Sequence, residues 1–169
     1  KKNPRITYIP SCSEYGYEDF PNFTKAFEAI QSSYFIYMPI DRSVSDRLKN
    51  EAFQSDMIFL SGGNTFQFLR DLKKMRLLSL LKKFAQKGSL LSGLSAGAIV
   101  LSPSIHAASY PKWDCDENEI GLKNWDSLGI YDFEYFPHYV SSVRYHQVLK
   151  KESIKRKRLI IAVPDESGV

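Results

Sequence analysis

Short apolar runs rich in β-forming residues alternate with segments of helical spacing along this chain of 169 residues. The pattern predicts strands at 6–10, 34–38, 56–60, 89–92, 133–136 and 158–163, and helices at 20–30, 44–53, 66–74, 77–86 and 144–154, with a further helix starting at 96. Strands joined through helices of this length are connected by right-handed crossovers, which produce a mainly parallel sheet. We therefore expect the α/β class, with helices on both faces of the sheet.

The bulk properties indicate one globular domain over residues 1–169. A hydrophobic share of 43% and a charged share of 25% are ordinary, and the length suits a single core. The first residue is not Met and the last residues directly follow a predicted strand, so we expect the domain to be trimmed at both ends. Two cysteines far apart do not form a secreted disulfide framework, which favours a reducing, cytoplasmic setting.

The strongest local signal is Gly-Leu-Ser-Ala-Gly at 93–97, directly after a predicted strand. A strand, a tight turn and a helix around Gly-x-Ser-x-Gly form the nucleophile elbow of serine hydrolases. The serine of such a turn has a strained backbone, so its neighbours across the turn must lack side chains. We therefore predict that Ser95 is a nucleophile whose hydroxyl is presented above the sheet.

A second glycine-rich loop, Ser-Gly-Gly-Asn-Thr at 61–65, also follows a predicted strand. Parallel α/β sheets place their sites at the carboxyl ends of the strands, so we expect the two loops to meet. The N–H groups of Gly63 and Ala96 would then form an oxyanion hole. The loop lacks the lysine and the spacing of a P-loop and does not match Gly-x-Gly-x-x-Gly, so nucleotide binding is excluded.

A serine nucleophile needs a general base, and the chain has three histidines. His138 follows a predicted strand, whereas His106 lies in an irregular segment and His146 in an exposed helix, so His138 is the predicted base. The last predicted strand runs into Asp165 and Glu166, either of which could orient the imidazole. The order Ser, His, acid differs from the order Ser, acid, His of the α/β-hydrolases, which argues against an esterase or lipase of that fold.

These segments resemble the dipeptidase E family of serine-type aspartyl dipeptidases, with the cyanophycinases as close relatives. The matching motifs are Ser-Gly-Gly-Asn-Thr-Phe at 61–66, Gly-Leu-Ser-Ala-Gly-Ala at 93–98, Ser-Pro-Ser-Ile at 102–105 and Pro-His-Tyr at 137–139. The resemblance covers about 56–169, and the pair of loops is more specific than either loop alone. It implies a three-layer α/β sandwich of the flavodoxin-like or class I glutamine-amidotransferase-like type, a Ser-His-acid triad, and neither a metal nor a cofactor.

The resemblance also implies roles for individual residues. Four positions match the family's catalytic parts directly: Ser95 the nucleophile, His138 the base, and Gly63 and Ala96 the oxyanion hole. Alignment on the proline before the acid selects Asp165, and matching by residue type selects Glu166 as the alternative. We take Asp165 as the predicted acid.

The family's preference for an N-terminal aspartate requires a cation that pairs with the substrate carboxylate. Arg144 is the first candidate, Lys112 and Lys123 are others, and Asn64 is a further candidate for substrate binding. The predicted function is therefore hydrolysis of short peptides, in particular dipeptides with an N-terminal aspartate. The alternatives are a cyanophycinase-like isopeptide hydrolase and a family member that binds a peptide or metabolite without turnover.

The irregular segment 102–131, which holds Tyr110, Trp113 and Trp125, lies between nucleophile and base in the sequence. We expect it to exclude water from the pocket and to limit entry to small peptides. The basic run 150–158 has an acidic residue and an amphipathic pattern typical of a solvated helix, so we expect no nucleic-acid partner. No apolar run approaches the ~18 residues of a membrane span, so no membrane partner is expected either. We expect a monomer or homodimer with a small peptide as substrate.

Overall fold

A computed structural model describes residues 3–30 and 34–169 of the chain. The strands of this described part are β1 (Arg5–Ile9), β2 (Tyr34–Tyr37), β3 (Met57–Leu60), β4 (Leu90–Gly93), β5 (Glu134–Phe136) and β6 (Ile160–Ala162). Its α-helices are α1 (Ser13–Ala26), α2 (Asp46–Ala52), α3 (Thr65–Lys74), α4 (Leu78–Gln86), α5 (Ala96–Leu101) and α6 (Val143–Arg156), and short 3₁₀ helices cover Glu28–Ile30 and His106–Ser109. Each predicted strand and helix has a counterpart, which confirms the α/β class.

Helix α1 is the element whose start differs most from the prediction. It begins at Ser13 rather than near residue 20, and it includes Pro21. The first turn is stabilised from outside the helix, because the N–H and the hydroxyl of Ser13 both donate to the carboxylate of Asp41. Partial burial alone would raise the pKa of Asp41, but the hydrogen bonds from Ser13 outweigh that effect and hold the pKa below its ordinary value. A carboxylate at this end also interacts favourably with the helix dipole.

Four strands form a fully parallel sheet in the order β2-β1-β3-β4. This is the order of the first four strands of flavodoxin-like folds, in which ligands bind outside the carboxyl ends of β1 and β3. The loops that follow these two strands touch each other, since the N–H of Ser11 donates to Oγ of Ser61 over 2.8 Å. The topology therefore places the second glycine loop at the expected binding crevice.

Strands β5 and β6 form a separate parallel pair instead of extending the first sheet. β5 contacts α5 and the second 3₁₀ helix, and the N–H of Tyr135 donates to Oγ of Ser102 over 3.0 Å rather than to a strand. The buried carboxylate of Glu134 accepts a hydrogen bond from the hydroxyl of Tyr110 over 2.8 Å, which fixes the irregular segment against β5. The mainly parallel sheet is therefore divided into two parts.

The first sheet lies between two helical layers. On one face, α1 contacts the strands through aromatic rings: the ring centroids of Tyr8 and Phe23 are 4.8 Å apart, as are those of Phe23 and Phe59. Leu60 follows Phe59 in the strand and so points to the opposite face, where its backbone and Cβ lie against Gly97 of α5. Helix α3 packs on α5 in this second layer. The arrangement agrees with the expectation of helices on both faces.

The helices are short compared with a bilayer. α1 and α6 have 14 residues each, whereas a membrane-spanning helix needs about 20 apolar residues. Within residues 3–30 and 34–169, no helix is long and apolar enough to cross a membrane.

Candidate active site

Ser95 occupies the turn between β4 and α5. Its φ of +50° and ψ of −111° differ from the angles of both the strand and the helix that flank it. A positive φ is uncommon for a residue with a side chain, and it persists only where the surrounding fold imposes it. Here the end of β3 holds the turn, because the N–H of Leu94 donates to the carbonyl of Leu60 over 2.9 Å and the N–H of Gly97 donates to the carbonyl of Ser61 over 3.0 Å. The turn has the geometry of a nucleophile elbow.

The two glycines of the elbow are required by close backbone contacts. A Cβ on Gly93 would lie 2.4 Å from the carbonyl carbon of Gly97, and a Cβ on Gly97 would lie 2.2 Å from the carbonyl oxygen of Leu60. Both distances are far inside van der Waals contact, and both involve backbone atoms that cannot rotate away. Gly-x-Ser-x-Gly is therefore a packing requirement of this turn.

His138 and Asp165 follow the ends of β5 and β6. Nε2 of His138 lies 2.8 Å from Oγ of Ser95, and its Nδ1 lies 2.6 Å from Oδ1 of Asp165. The pairing of the two strands continues beyond them, since the N–H of Tyr139 donates to the carbonyl of Val163 over 3.1 Å. This continuation sets His138 beside Asp165. The structure thus brings the three predicted residues together from two different sheets.

The imidazole of His138 and the carboxylate of Asp165 are open to solvent. The side chains of His138 and Asp165 are 54% and 75% exposed. Solvent screens such a pair, so the contact orients the imidazole more than it stabilises the fold. Glu166, the alternative acid, makes no hydrogen bond with His138 in the part of the chain that the structure describes. By geometry, Asp165 is the carboxylate next to the imidazole.

The loop at 61–65 runs directly beside the elbow. A Cβ on Gly62 would lie 3.6 Å from the Cβ of Ser95. Gly63 has a φ of +131°, and a Cβ there would lie 2.0 Å from Oγ of Ser11, so only glycine fits this position. On the other side, Ala96 begins α5, and the first N–H groups of a helix have no partner within it. Gly62 of the loop therefore lies against Ser95 on one side, and Ala96, the first residue of α5, follows Ser95 on the other.

Asn64 is the N-cap of α3. Its Oδ1 accepts from the N–H of Gln67 over 3.0 Å, and its Nδ2 donates to the carbonyl of Glu117 over 2.9 Å. The amide thus fixes the helix start and attaches the irregular segment to it. Any contact with a substrate would have to use the second N–H or the second lone pair of the same amide.

A cavity of about 140 Å³ opens beside Ser95 and His138. A space of about 150 Å³ holds one benzene molecule, so this cavity accommodates a single side chain or terminal group. Its other lining residues are Thr65, Ile99, Ala107, Ala108, Tyr110, Asp114, Cys115, Asp116, Phe136 and Pro137. Asp114 and Asp116 were not among the predicted site residues, although an Asp-Cys-Asp run between nucleophile and base is a sequence signal for them.

Arg144, the predicted substrate-binding cation, is exposed and is not among the residues that line this cavity. Its guanidinium carbon is 3.5 Å from the ring centroid of Trp113. Trp113 in turn contacts the ring of Tyr145 edge-on at 5.9 Å between centroids, and the hydroxyl of Tyr145 donates to Asp114. The two other candidate cations, Lys112 and Lys123, are exposed and do not line the cavity.

The two remaining histidines lie away from Ser95. The ring of His106 is 4.8 Å from that of Trp125, and burial lowers the pKa of His106. His146 lies on α6. In the described ranges, 3–30 and 34–169, no group of three or more His, Cys, Asp or Glu side chains is arranged to hold a metal ion.

Comparison with known proteins relates the chain to peptidases. The family model of peptidase family S51 matches residues 1–169. An uncharacterized peptidase from Listeria monocytogenes is 30% identical over 137 residues, which cover 79% of this chain and 65% of that protein. Peptidase E of Salmonella arizonae is 28% identical over 110 residues, which cover 64% of this chain and 45% of that protein. The chain therefore spans about two thirds of the first relative and less than half of the second.

Two solved structures share the fold. A crystal structure of a candidate peptidase E protein from Listeria monocytogenes EGD-e superposes with a TM-score of 0.75 at 26% identity, covering 97% of this chain and 79% of that one. A peptidase from an acI-B1 actinobacterium superposes with a TM-score of 0.55 at 19% identity, which concerns the fold alone. With a family match along the whole sequence and a related peptidase structure over almost all of it, the chain belongs to peptidase family S51.

Proposed function

We propose that the protein is a serine peptidase that hydrolyses short peptides, in particular dipeptides with an N-terminal aspartate. The supporting observation is the hydrogen-bonded line from Oγ of Ser95 through both ring nitrogens of His138 to Oδ1 of Asp165, with distances of 2.8 and 2.6 Å. A nucleophile hydrogen-bonded to a base, which is in turn hydrogen-bonded to an orienting carboxylate, is the arrangement that acyl transfer requires. Membership of a peptidase family supports the same chemistry.

In the proposed mechanism, Ser95 attacks the scissile carbonyl carbon and its hydroxyl proton passes to Nε2 of His138. Asp165 accepts the hydrogen bond from Nδ1–H, which keeps Nε2 free to receive that proton and stabilises the imidazolium that results. The imidazolium then protonates the leaving amine, and the C–N bond breaks. A water molecule, deprotonated by the same imidazole, hydrolyses the Ser95 ester and regenerates the hydroxyl.

The negative charge of the tetrahedral intermediate needs donors on the side away from His138. We assign the N–H groups of Gly63 and Ala96 to this role, because one lies in the loop beside Ser95 and the other follows Ser95 at the start of α5. One such donor typically contributes ~3 kcal/mol to the stabilisation of the transition state. The absence of a side chain at Gly63 lets the loop backbone pack against Ser11, which holds the loop in place at the ends of β1 and β3.

The size of the cavity supports a short substrate. A space of about 140 Å³ next to Ser95 accommodates one residue of a peptide beside the nucleophile. Tyr110 and the adjoining segment up to Asp116 form one side of this space. Hydrolysis of a long internal peptide or a folded protein at a rate similar to that of a dipeptide would contradict the size limit.

Asp165 and Glu166 can be separated by their effects on activity. We expect Asp165→Asn to lower kcat/KM by about 10- to 100-fold, less than the ~10⁴-fold loss seen when a buried triad aspartate is changed. The smaller effect follows from exposure, since Asp165 is 75% exposed and water can partly replace its hydrogen bond. The matched control, Glu166→Gln, should stay within about twofold of wild type. A larger loss in the control than in Asp165→Asn would transfer the role to Glu166.

Arg144 tests the preference for an acidic first residue. Because a charge-assisted hydrogen bond to a carboxylate is worth about 1.5–3 kcal/mol, we expect Arg144→Gln to raise KM for Asp-Leu by about 10-fold or more. KM for Ala-Leu should change less than about twofold. Lys155→Gln removes a positive charge from an exposed position of the same helix and serves as the control. Equal changes of KM for both dipeptides would show that Arg144 does not bind the substrate's side-chain carboxylate.

A panel of α-aspartyl, β-aspartyl and neutral dipeptides, assayed with the wild-type protein, tests the proposed function. Hydrolysis of α-aspartyl dipeptides ahead of the others is the expected result. Exclusive hydrolysis of β-aspartyl bonds would identify an isopeptide hydrolase of the cyanophycinase type. Binding of a peptide without hydrolysis would identify a non-catalytic member of the family.

A further inference from the structure

A second cavity, larger than the one beside Ser95, lies between α6 and the irregular segment. Its volume is about 620 Å³, which falls within the ~300–1,000 Å³ of small-molecule sites. Residues 109–113 and Trp125 of the irregular segment form one wall. The other wall is one face of α6, whose members recur every three or four residues: Val148, Lys151, Glu152, Lys155 and Arg156. The proposed mechanism gives no part to any of these residues.

The second cavity shares a wall with the catalytic cavity, because Tyr110 lines both. The ring of Tyr110 lies parallel to that of Phe136, which lines the catalytic cavity, at 5.9 Å between centroids. The guanidinium carbon of Arg156, which lines the second cavity, is 5.7 Å from the centroid of the same ring. Since the hydroxyl of Tyr110 is bound to the buried Glu134, this side chain is held in place. Two distinct spaces therefore adjoin a fixed aromatic ring.

The wall formed by the irregular segment is aromatic and apolar. Trp113 is 42% exposed, which leaves much of its indole ring open to contact. The indole N–H of Trp125 donates to the carbonyl of Leu122 over 2.6 Å, so this side chain offers the cavity apolar ring surface and no free donor. Pro111 and Val148 add further apolar surface. Flat apolar walls of this kind favour packing against an aromatic group.

The charges around the second cavity are mostly positive. One carboxylate, Glu152, lines it together with four cations: Lys112, Lys151, Lys155 and Arg156. Glu152 is shared between two of them, since its Oε2 lies 3.1 Å from Nη2 of Arg156 and 3.8 Å from Nζ of Lys155. Within residues 3–30 and 34–169, neither Lys112 nor Lys151 forms an ion pair, and both are exposed. The cavity therefore has positive charge on both walls that no carboxylate compensates.

We propose that the second cavity is a binding site for a small organic anion that carries an aromatic ring. The ring packs against Trp113 and Trp125, and the anionic group is bound by Lys112 from one wall and Lys151 from the other. A ligand with an ammonium group is disfavoured, because its charge would face the same cations. The site uses neither Ser95 nor His138, so the inference goes beyond the proposed function and does not depend on it.

The binding test uses indole-3-acetate as the probe and isothermal titration calorimetry as the measurement. We expect a Kd below about 1 mM, which is reasonable for a ligand of this size. Indole-3-acetamide keeps the ring without the charge and should bind at least about 10-fold more weakly, because it lacks the charge-assisted hydrogen bonds. Tryptamine, a cation, and acetate, which has no ring, should not bind measurably. No binding of indole-3-acetate, or equal affinity for either acetate or the amide, would overturn the proposal.

Substitutions in the two walls test where the probe binds. Lys112→Gln/Lys151→Gln should raise the Kd of indole-3-acetate at least about 10-fold and leave Tm unchanged, since both side chains are exposed. Lys82→Gln/Lys83→Gln is the matched control, because it removes the same charge from exposed positions of α4 outside the cavity. The control should stay within about twofold of wild type. Equal weakening in both double variants would reduce the effect to net charge and overturn the site.

His138→Ala separates the second cavity from the catalytic one. A molecule bound beside Ser95 would contact the imidazole of His138, whereas His138 does not line the second cavity. We therefore expect the Kd of indole-3-acetate to stay within about twofold of wild type in this variant. A loss of binding there would assign the anion to the catalytic cavity and overturn the proposal. Inactivity towards all peptides, together with the expected binding, would reject the proposed function but keep the second site.

Discussion

Replacement of Ser95 by alanine is expected to lower kcat/KM for dipeptides by at least about 10⁴-fold, because the covalent step then has no nucleophile. The residual rate would come from the oxyanion donors and from substrate positioning, which remain. The fold should be unaffected, since the side chain of Ser95 makes its one described hydrogen bond with the exposed imidazole of His138. The measurement is steady-state kinetics on purified variants together with thermal unfolding.

Ser92→Ala is the matched control for this experiment. It makes the same chemical change within β4, where the side chain does not reach the cavity. It should keep activity within about twofold of wild type. Substantial turnover by Ser95→Ala after removal of contaminating peptidases would contradict the role of Ser95.

Replacement of Gly97 by alanine is expected to have the largest effect on stability. The added Cβ would lie 2.2 Å from the carbonyl oxygen of Leu60 and 2.7 Å from its carbonyl carbon, so α5 would have to move off β3. Overpacking of this kind costs typically 1–3 kcal/mol, and a clash with fixed backbone should lower the free energy of unfolding by at least about 3 kcal/mol. Urea unfolding measures the change.

Gly168→Ala is the control for the glycine substitution. Nothing lies within 4 Å of a Cβ at that position. The free energy of unfolding of Gly168→Ala should therefore differ from that of the wild-type protein by less than about 0.5 kcal/mol. A change of similar size in Gly97→Ala would show that the elbow does not contact β3 as closely as the structure indicates.

The parts of the fold that depend on short-range patterns could be predicted from the sequence. The strand at 56–60, the glycines after it and the helix after Asn64 form one local unit, and the cap from Asn64 to Gln67 spans three residues. The motif around Ser95 is equally local and predicts a tight turn after a strand. Hydrogen bonds from Leu94 and Gly97 to the end of β3 then hold that turn in place.

Contacts between distant segments explain what could not be predicted. The cap of α1 by Asp41 spans 28 residues, so the start of the helix at Ser13 depends on a contact that sequence spacing does not show. The position of Asp116 depends on its bond with Thr65, 51 residues away. The irregular segment 102–131 follows no periodic pattern, so hydrophobic periodicity could not predict the path of its backbone.

Labelling with a fluorophosphonate probe tests the central claim, that His138 activates Ser95 as a nucleophile. Such a probe reacts with serines whose hydroxyl is deprotonated by a neighbouring base. We expect a single adduct on the wild-type protein, mapped by mass spectrometry to Ser95, and a strongly reduced labelling rate in His138→Ala. An adduct that maps to another residue, or labelling that persists in Ser95→Ala, would contradict it.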